Sequence, residues 1–455
     1  MSLQASLQEI LLALELSRDR LTNAQADLTE QVSGITTDTR AIARGQVFLA
    51  LRGDKFDGHD FVATAIQQGA TAAIVDEQFS HPQSAQANLI IVPNTLKAYQ
   101  QLGHWWRKKF DIPVIGITGS VGKTTTKELV AAALGHYGNV LKTQDNYNNE
   151  IGVPKTLLEL RPDHNFAVIE MGMRGAGQIA ELTRIAEPTV GVVTYAGLAH
   201  VELLGSAEAI AQAKCELFAE MPKDGIAVWN QDQPRLVTYA QQVWSGRTIG
   251  YGFNDGATVQ GKLIDLNTLE IDGVPFPLPL PGEHNALNYL GTMAVLQALG
   301  LDRSPLTQGL TVELPSGRAK RYELPGDIVL LDETYNAGLE SMLAALKLLA
   351  QTQGTRRIAV LGTMKELGDY SLAFHQQVGE AVAQLGIDAL LILADPAEAN
   401  ALQQGAHPLV AECFADQETL IAALKTMVQP GDRLLFKASR AVGLDRAVEA
   451  LRTTA

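Results

Sequence analysis

An apolar stretch with strand character, IPVIGI at 112–117, runs directly into Thr118-Gly119-Ser120-Val121-Gly122-Lys123-Thr124-Thr125, and a helix-forming run, ELVAAALGHY, follows at 128–137. No other feature narrows the possible folds of this chain so far. A strand, a glycine-bearing turn and a helix in that order make the phosphate-binding corner of a parallel α/β sheet. The glycines let backbone N–H groups wrap a phosphate, and the helix N-terminus adds positive potential. Lys123 can reach β and γ phosphates, and the Thr124 hydroxyl can hold Mg²⁺. Gly119, Ser120, Val121, Gly122, Lys123, Thr124 and Thr125 are therefore the expected ATP-binding residues. The strict motif has Gly five residues before Gly122. Ile117 stands there, so the loop is a variant that opens on Thr118-Gly119. A ligand-free glycine turn is the bland alternative, and the strand–loop–helix context weighs against it.

The rest of the chain extends this alternation. At about 150 residues per domain, 455 residues suggest about three domains. The first spans 1–84, with an opening amphipathic helix, strand-like VFLAL (47–51) and TAAIV (71–75), and a polar turn at 80–84 as linker. The second spans 85–314 and carries strand candidates at 112–117, 166–170, 189–194 and 225–230, each followed by a helix. Within it, residues 246–280 alternate apolar and polar between turns and suggest a small antiparallel extension. The third spans 315–455, with strands at 328–332, 357–361, 389–394 and 433–437. It is a second doubly wound unit without the Gly-x-Gly-x-x-Gly dinucleotide fingerprint. The expected fold is α/β in three domains: a small α/β N-terminal domain, a central P-loop domain on a parallel sheet with a small antiparallel extension, and a Rossmann-like C-terminal domain.

Composition sets limits on partners. Lys plus Arg total 36 against 50 Asp plus Glu, a net charge of −14. Such an acidic chain is a poor candidate for nucleic-acid binding, yet it can hold small anions in a local cationic pocket. Two cysteines, Cys215 and Cys413, are too few for a disulfide framework, so a reduced, cytoplasmic protein is expected. The first twenty residues read as an amphipathic helix and not as a signal peptide, and no stretch approaches the ~20 apolar residues of a membrane span.

A phosphate loop needs an acidic metal partner. Glu170 ends the strand FAVIE, where a carboxylate faces the crevice and can ligate Mg²⁺; a solvated strand-end Glu is the alternative. His200, in Ala199-His200-Val201-Glu202, is weak evidence alone. Lys214, in the helix IAQAKCELF, can bind phosphate, become a carbamylated metal ligand, or lie on a solvated helix face; Cys215 beside it reads as core. Trp105-Trp106 read as packing against the first domain and His375 as structural.

The residues now on the page resemble the Mur ligases, ATP-dependent peptide-bond-forming enzymes of peptidoglycan synthesis. The resemblance spans essentially the whole chain. It is carried by Thr118 to Thr125, Glu170, His200, Lys214, Asn285 and Asn288, Arg318, Asp332 and Lys437-Ala438-Ser439-Arg440. Asn146 to Pro154, Asp332 to Ala337 and Val360 to Gly368 are most similar to the members that add D-alanyl-D-alanine to UDP-N-acetylmuramoyl-tripeptide. Tyr195, Glu333, Gly338-Leu339, Thr363 and Ala438 depart from the family pattern.

The resemblance implies an acyl-phosphate mechanism, with Lys123, Glu170, His200 and Lys214 catalytic. One Mg²⁺ would sit on Thr124, with Glu170, and a second on His200 and carbamylated Lys214. Asn285 and Asn288, three apart on one helix face, would meet adenine; Arg318 and Asp332 would reach the nucleotide from the domain boundary. Asp38, Thr39 and Arg40 would hold the uridine diphosphate, although a polar turn explains them too. Asn148 and Asn149 would face the muramoyl peptide, and Tyr335, Asn336, Lys437, Ser439 and Arg440 the dipeptide. A monomer is expected. The nearer rival is another Mur-type or folylpolyglutamate-type amino-acid ligase. The rival from another class is a P-loop NTPase switch stimulated by a macromolecular partner.

Overall fold

The computed structural model describes residues 3–53, 56–80, 88–198 and 201–453. His200 and residues 81–84 of the expected linker lie outside the described residues. Among the described residues, three larger sheets organise the chain beside a two-stranded antiparallel pair, Ala5–Ser6 with Gln31–Val32. The first has four parallel strands in the order Ile35–Thr36, Val47–Leu49, Ala72–Asp76 and Leu89–Val92. Its last strand lies past residue 84. The run Leu89-Ile90-Ile91-Val92 completes the sheet because it offers four adjacent apolar residues to two covered faces.

The second sheet has nine strands, ordered Val274–Pro277, Thr268–Ile271, Val259–Asp265, Arg247–Gly252, Ile226–Asn230, Val190–Val193, Val114–Thr118, Phe166–Glu170 and Val140–Lys142. The antiparallel extension is smaller than expected. Arg247–Gly252 and Val259–Asp265 join the sheet in parallel; only the pairings that involve Thr268–Ile271 and Val274–Pro277 are antiparallel. Polar–apolar alternation reports one wet face of a strand, not its direction. The helix Pro234–Val243 supplies the crossover for the parallel pairing of Ile226–Asn230 with Arg247–Gly252, whereas a loop at 253–258 leads into the two-residue parallel pairing with Val259–Asp265.

The third sheet runs Lys320–Leu324, Ile328–Glu333, Asp432–Lys437, Arg356–Gly362, Ala389–Leu393, Glu412–Cys413, parallel except for its first edge strand. Buried apolar side chains on one face of the nine-stranded sheet form one continuous core with those of the N-terminal unit. Helix Thr95–Arg107 stitches them: Tyr99, Leu102 and Trp106 are buried there, and the Trp106 indole N–H donates to Leu160 O at 3.0 Å. No helix among the described residues is long and apolar enough to cross a membrane.

Candidate active site

The strands Val114–Thr118, Phe166–Glu170 and Val190–Val193 are neighbours and parallel, so Thr118, Glu170 and Thr194 finish at the same edge. Ligands of open parallel sheets bind at such carboxyl ends. The phosphate loop leaves this edge and enters helix Lys123–Leu134 through Gly122, whose φ of +82° suits glycine. A Cβ on Gly122 would come within 2.5 Å of Asn288 Oδ1, so the close approach also demands glycine. Neighbouring chain holds the loop. Ser120 N–H donates to Tyr195 O at 2.7 Å, its hydroxyl accepts the Gly197 N–H at 3.1 Å, and Thr194 Oγ1 donates to Val121 O at 2.6 Å. Lys123 folds over the loop, donating to Gly119 O at 2.7 Å. Desolvation lowers its pKa, opposed by Glu170 and reinforced by Arg318, so these three charges share one crevice.

Glu170 is 1% exposed. Its N–H donates to Thr143 Oγ1 at 3.0 Å, and its Oε1 accepts from Asn148 Nδ2 at 2.8 Å. Its Oε2 is buried with no hydrogen-bond partner. A buried carboxylate oxygen with no donor, at the same edge as the buried Thr124 hydroxyl, fits a hard cation such as Mg²⁺. Among the described residues, no three His, Cys, Asp or Glu side chains form a metal cluster. Asn148 thus carries the carboxylate, and Asn149 Oδ1 accepts the N–H of Gly152 at 2.9 Å at the start of helix Gly152–Leu157.

Lys214 does not lie on a solvated face. It is 1% exposed in helix Ala207–Glu220 and makes no hydrogen bond or ion pair with a described residue. Burial, then repulsion from Lys123, pushes its pKa well below the usual lysine range. Neutral lysine is the form that reacts with CO₂. Cys215 is core, its thiol raised by burial to about 12.

The third unit closes the crevice. Asp332, one residue before the end of its strand, is buried and accepts from Thr334 N–H at 3.1 Å and Thr334 Oγ1 at 2.6 Å; burial raises its pKa. The Arg318 guanidinium stacks 3.7 Å from the Tyr335 ring centre, with Arg440 at 5.2 Å. Lys437 is 3% exposed, donates to Asn336 O at 3.0 Å and lies 3.7 Å from Glu333 Oε2. The Ser439 hydroxyl accepts the Lys365 N–H at 2.9 Å. Asn285 and Asn288 share helix Glu283–Ala298 but are held differently. Asn285 Nδ2 donates to Pro281 O at 2.9 Å, while Asn288 Oδ1 accepts from Thr126 Oγ1 at 3.3 Å beside the phosphate loop. In the first unit, Arg40 forms a two-pronged pair with Asp38 (2.9 and 2.7 Å), which pulls the carboxyl down to about 2; Thr39 lies between them, half-buried.

Family models match three stretches: "Mur ligase family, catalytic domain" at 31–105, "Mur ligase middle domain" at 117–296 and "Mur ligase, glutamate ligase domain" at 317–440. The chain belongs to the Mur ligase family. The chain is 54% identical over 451 residues, 99% of its length and 98% of the other, to a Synechocystis sp. protein called UDP-N-acetylmuramoyl-tripeptide--D-alanyl-D-alanine ligase. A crystal structure of MurF from Acinetobacter baumannii superposes with a TM-score of 0.87 at 29% identity, covering 99% of both chains. A MurF ligase from Thermotoga maritima in complex with ADP gives 0.82 at 29%, covering 93% of this chain and 98% of that one.

Within this Mur ligase, several residues at the site carry no sequence motif that announced them. Thr143, Thr194 and Lys127 support the crevice from below. Glu340 reaches it from the third unit: its Oε1 accepts the Leu198 N–H at 2.7 Å, and its Oε2 is buried without a partner. Lys127 alone left a trace, a charge four residues after Lys123 and on the same helix face.

Proposed function

We propose that this Mur ligase joins D-alanyl-D-alanine to UDP-N-acetylmuramoyl-tripeptide at the expense of ATP, completing the pentapeptide precursor of peptidoglycan. The 54% identity over nearly the whole chain to a ligase of that name carries the reading. Amide formation from a carboxylate is uphill in water. ATP transfers its γ-phosphoryl group to the tripeptide carboxylate and ADP leaves. The dipeptide amine then attacks the acyl carbon, the C–O bond to phosphate breaks, and the amine proton is released. Each step sets anion beside anion, so the residues act mainly by position and charge.

The amides of 119–124 and the Lys123 ammonium hold the β and γ phosphates. Thr124 and Glu170 would hold one Mg²⁺; His200 and a carbamate on Lys214 would hold a second. Bound there, the ions would supply charge neutralisation for the phosphates and the substrate carboxylate. The carbamate forms when the neutral Lys214 amine bonds to CO₂ and loses a proton. Asn285 and Asn288 meet adenine, and Arg318 and Asp332 reach the nucleotide across the domain boundary. Asp38, Thr39 and Arg40 take the uridine diphosphate, Asn148 and Asn149 face the muramoyl peptide, and Tyr335, Asn336, Lys437, Ser439 and Arg440 hold the dipeptide. The domain division follows: 1–84, extended through the strand Leu89–Val92, for the uridine end, then 315–455 for the dipeptide, with ATP between them. The enzyme works as a cytoplasmic monomer.

The test is a mass-spectrometric assay of the purified chain with ATP, Mg²⁺, UDP-N-acetylmuramoyl-tripeptide and D-alanyl-D-alanine, each omitted in turn. The pentapeptide should form only with all present. Equal phosphate release without either small substrate, or product only with a single amino acid, would overturn the reading.

A further inference from the structure

Two buried charges near the phosphate loop take no part in the chemistry above. Lys127 and Glu128, on helix Lys123–Leu134, are 0% and 4% exposed. Charged side chains are almost never so buried unless paired. Lys127 Nζ lies 2.8 Å from Glu128 Oε1, and the other Glu128 oxygen pairs with Lys142. Lys127 also donates to the main-chain carbonyl of Thr143 at 2.7 Å. That contact links the pair to the site.

Thr143 stands where strand Val140–Lys142 gives way to a loop. Its N–H donates to Val168 O at 3.0 Å, and its hydroxyl accepts the Glu170 N–H at 3.0 Å. Five residues on, the same loop returns as Asn148. The Asn148 carbonyl accepts the Gly172 N–H at 2.8 Å, and its amide holds Glu170 Oε1 at 2.8 Å. Gly172 permits this closeness, since a Cβ there would lie 2.8 Å from Asn148 Oδ1. The loop therefore grips Glu170 twice, by its main chain at one end and by its carboxylate at the other. Only the free Oε2 is left over. Lys127 ties the root of this loop to the helix that begins with Lys123 and Thr124.

We propose that Lys127 is a positioning residue for Glu170: it locks the 143–148 loop to the phosphate-loop helix, so that the free Glu170 oxygen and the Thr124 hydroxyl keep one spacing and together set the affinity for a divalent cation. The proposal rests on the reading of Glu170 as a cation ligand. A pair that merely filled the core would not need to bond the residue that holds Glu170.

The test uses Lys127→Met in the full chain. Glu128 keeps Lys142 on its other oxygen, so the buried carboxylate retains one cationic partner. Mn²⁺ serves as the probe, titrated by electron paramagnetic resonance in the presence of ADP, beside ADP affinity in metal-free buffer. Loosening a group that orients a ligand weakens metal binding about 10–100-fold, and that fall is expected here with metal-free ADP affinity held within about twofold. Thr143→Val removes the acceptor of the Glu170 N–H yet keeps the carbonyl that Lys127 bonds, and it should weaken Mn²⁺ in the same way; Lys127→Gln, with a shorter, uncharged side chain, carries the test of Lys127 if Lys127→Met folds poorly. Mn²⁺ affinity unchanged in the folded variants overturns the proposal. Failure of the reading beneath it looks different: the unaltered chain would bind ADP but no Mn²⁺, and the proposal would fall with it.

Discussion

Replacing Lys214 by Met should cost the enzyme its activity while making it more stable. Lys214 is 1% exposed and unpartnered among the described residues, with Lys123 repelling it. Its pKa is lowered in the folded chain from the ordinary 10.5. The sign follows. Between the folded and unfolded values the unfolded chain binds a proton that the folded chain refuses, so stability falls as pH drops through that window. At neutral pH the penalty is present. A buried polar group without a partner costs about 1–3 kcal/mol, and Met fills nearly the same volume without it. In a domain of this size each kcal/mol moves the melting temperature by roughly 2–4 °C. Circular-dichroism melts in metal-free, bicarbonate-free buffer should therefore show Lys214→Met several degrees above the parent. Turnover should fall by roughly 10²–10³-fold, the scale of losing one electrostatic group at a reacting centre. Lys214→Ala leaves space that added short carboxylates can enter, with partial recovery of rate. A lower melting temperature for Lys214→Met would show that the amine has a stabilising partner. Full turnover in either variant would end the carbamate argument.

Other outcomes follow from single contacts. Gly122→Ala places a side chain at φ +82° and against Asn288 Oδ1; the left-handed conformation alone costs about 1–2 kcal/mol, and calorimetry should find ADP affinity reduced at least tenfold. Unchanged affinity would mean the loop does not hold the phosphates. Glu340→Ala removes the acceptor of the Leu198 N–H that joins the third unit to the loop beside Ser120, so small-angle scattering of the free protein should show a larger radius of gyration. An unaltered radius would make the contact incidental. Burial lowers the pKa of Lys123 and Lys437 before any anion arrives. ATP should raise them again, so binding takes up protons at alkaline pH and affinity falls as pH rises. Calorimetry in two buffers of unlike ionisation enthalpy reads this directly, and identical heats would refute it.

What was legible in the sequence was local. The order strand, glycine loop, helix is a short-range pattern, and it located Gly119 to Thr125 and the carboxylate of Glu170 correctly at one sheet edge. Strands with both faces covered announced themselves by apolar runs, as in Phe166–Glu170. Short edge strands did not: Val140–Lys142 and Glu412–Cys413 offer three and two residues, too few for a period to register. Nor could burial of Lys214 be read, because the many small Ala residues of helix Ala207–Glu220 mark its buried face only weakly. Asn148, read as facing the substrate, also holds the Glu170 carboxylate. That role depends on a loop folding back over a neighbouring strand, which composition does not encode. Glu340 meets Leu198 across 142 positions of sequence, and only tertiary structure brings them together.

The net charge of −14 poses a physical problem that burial resolves. Both substrates that carry nucleotides are polyanions, and surface cations on an acidic protein would be screened within about 10 Å at ordinary salt. The cations that matter are not on the surface. Lys437 is 3% exposed, Lys123 is folded over its loop, and Arg318 lies against Tyr335. In a medium of low polarisability a charge acts over a longer range and more strongly than in water. The same desolvation that lowers the lysine pKa values thus makes the site attractive to phosphate. The cost falls on the stability of the free enzyme, and the anions relieve it when they bind. A crevice built this way favours the fully loaded state over every partly loaded one, and that is the state in which a labile acyl phosphate can form away from water.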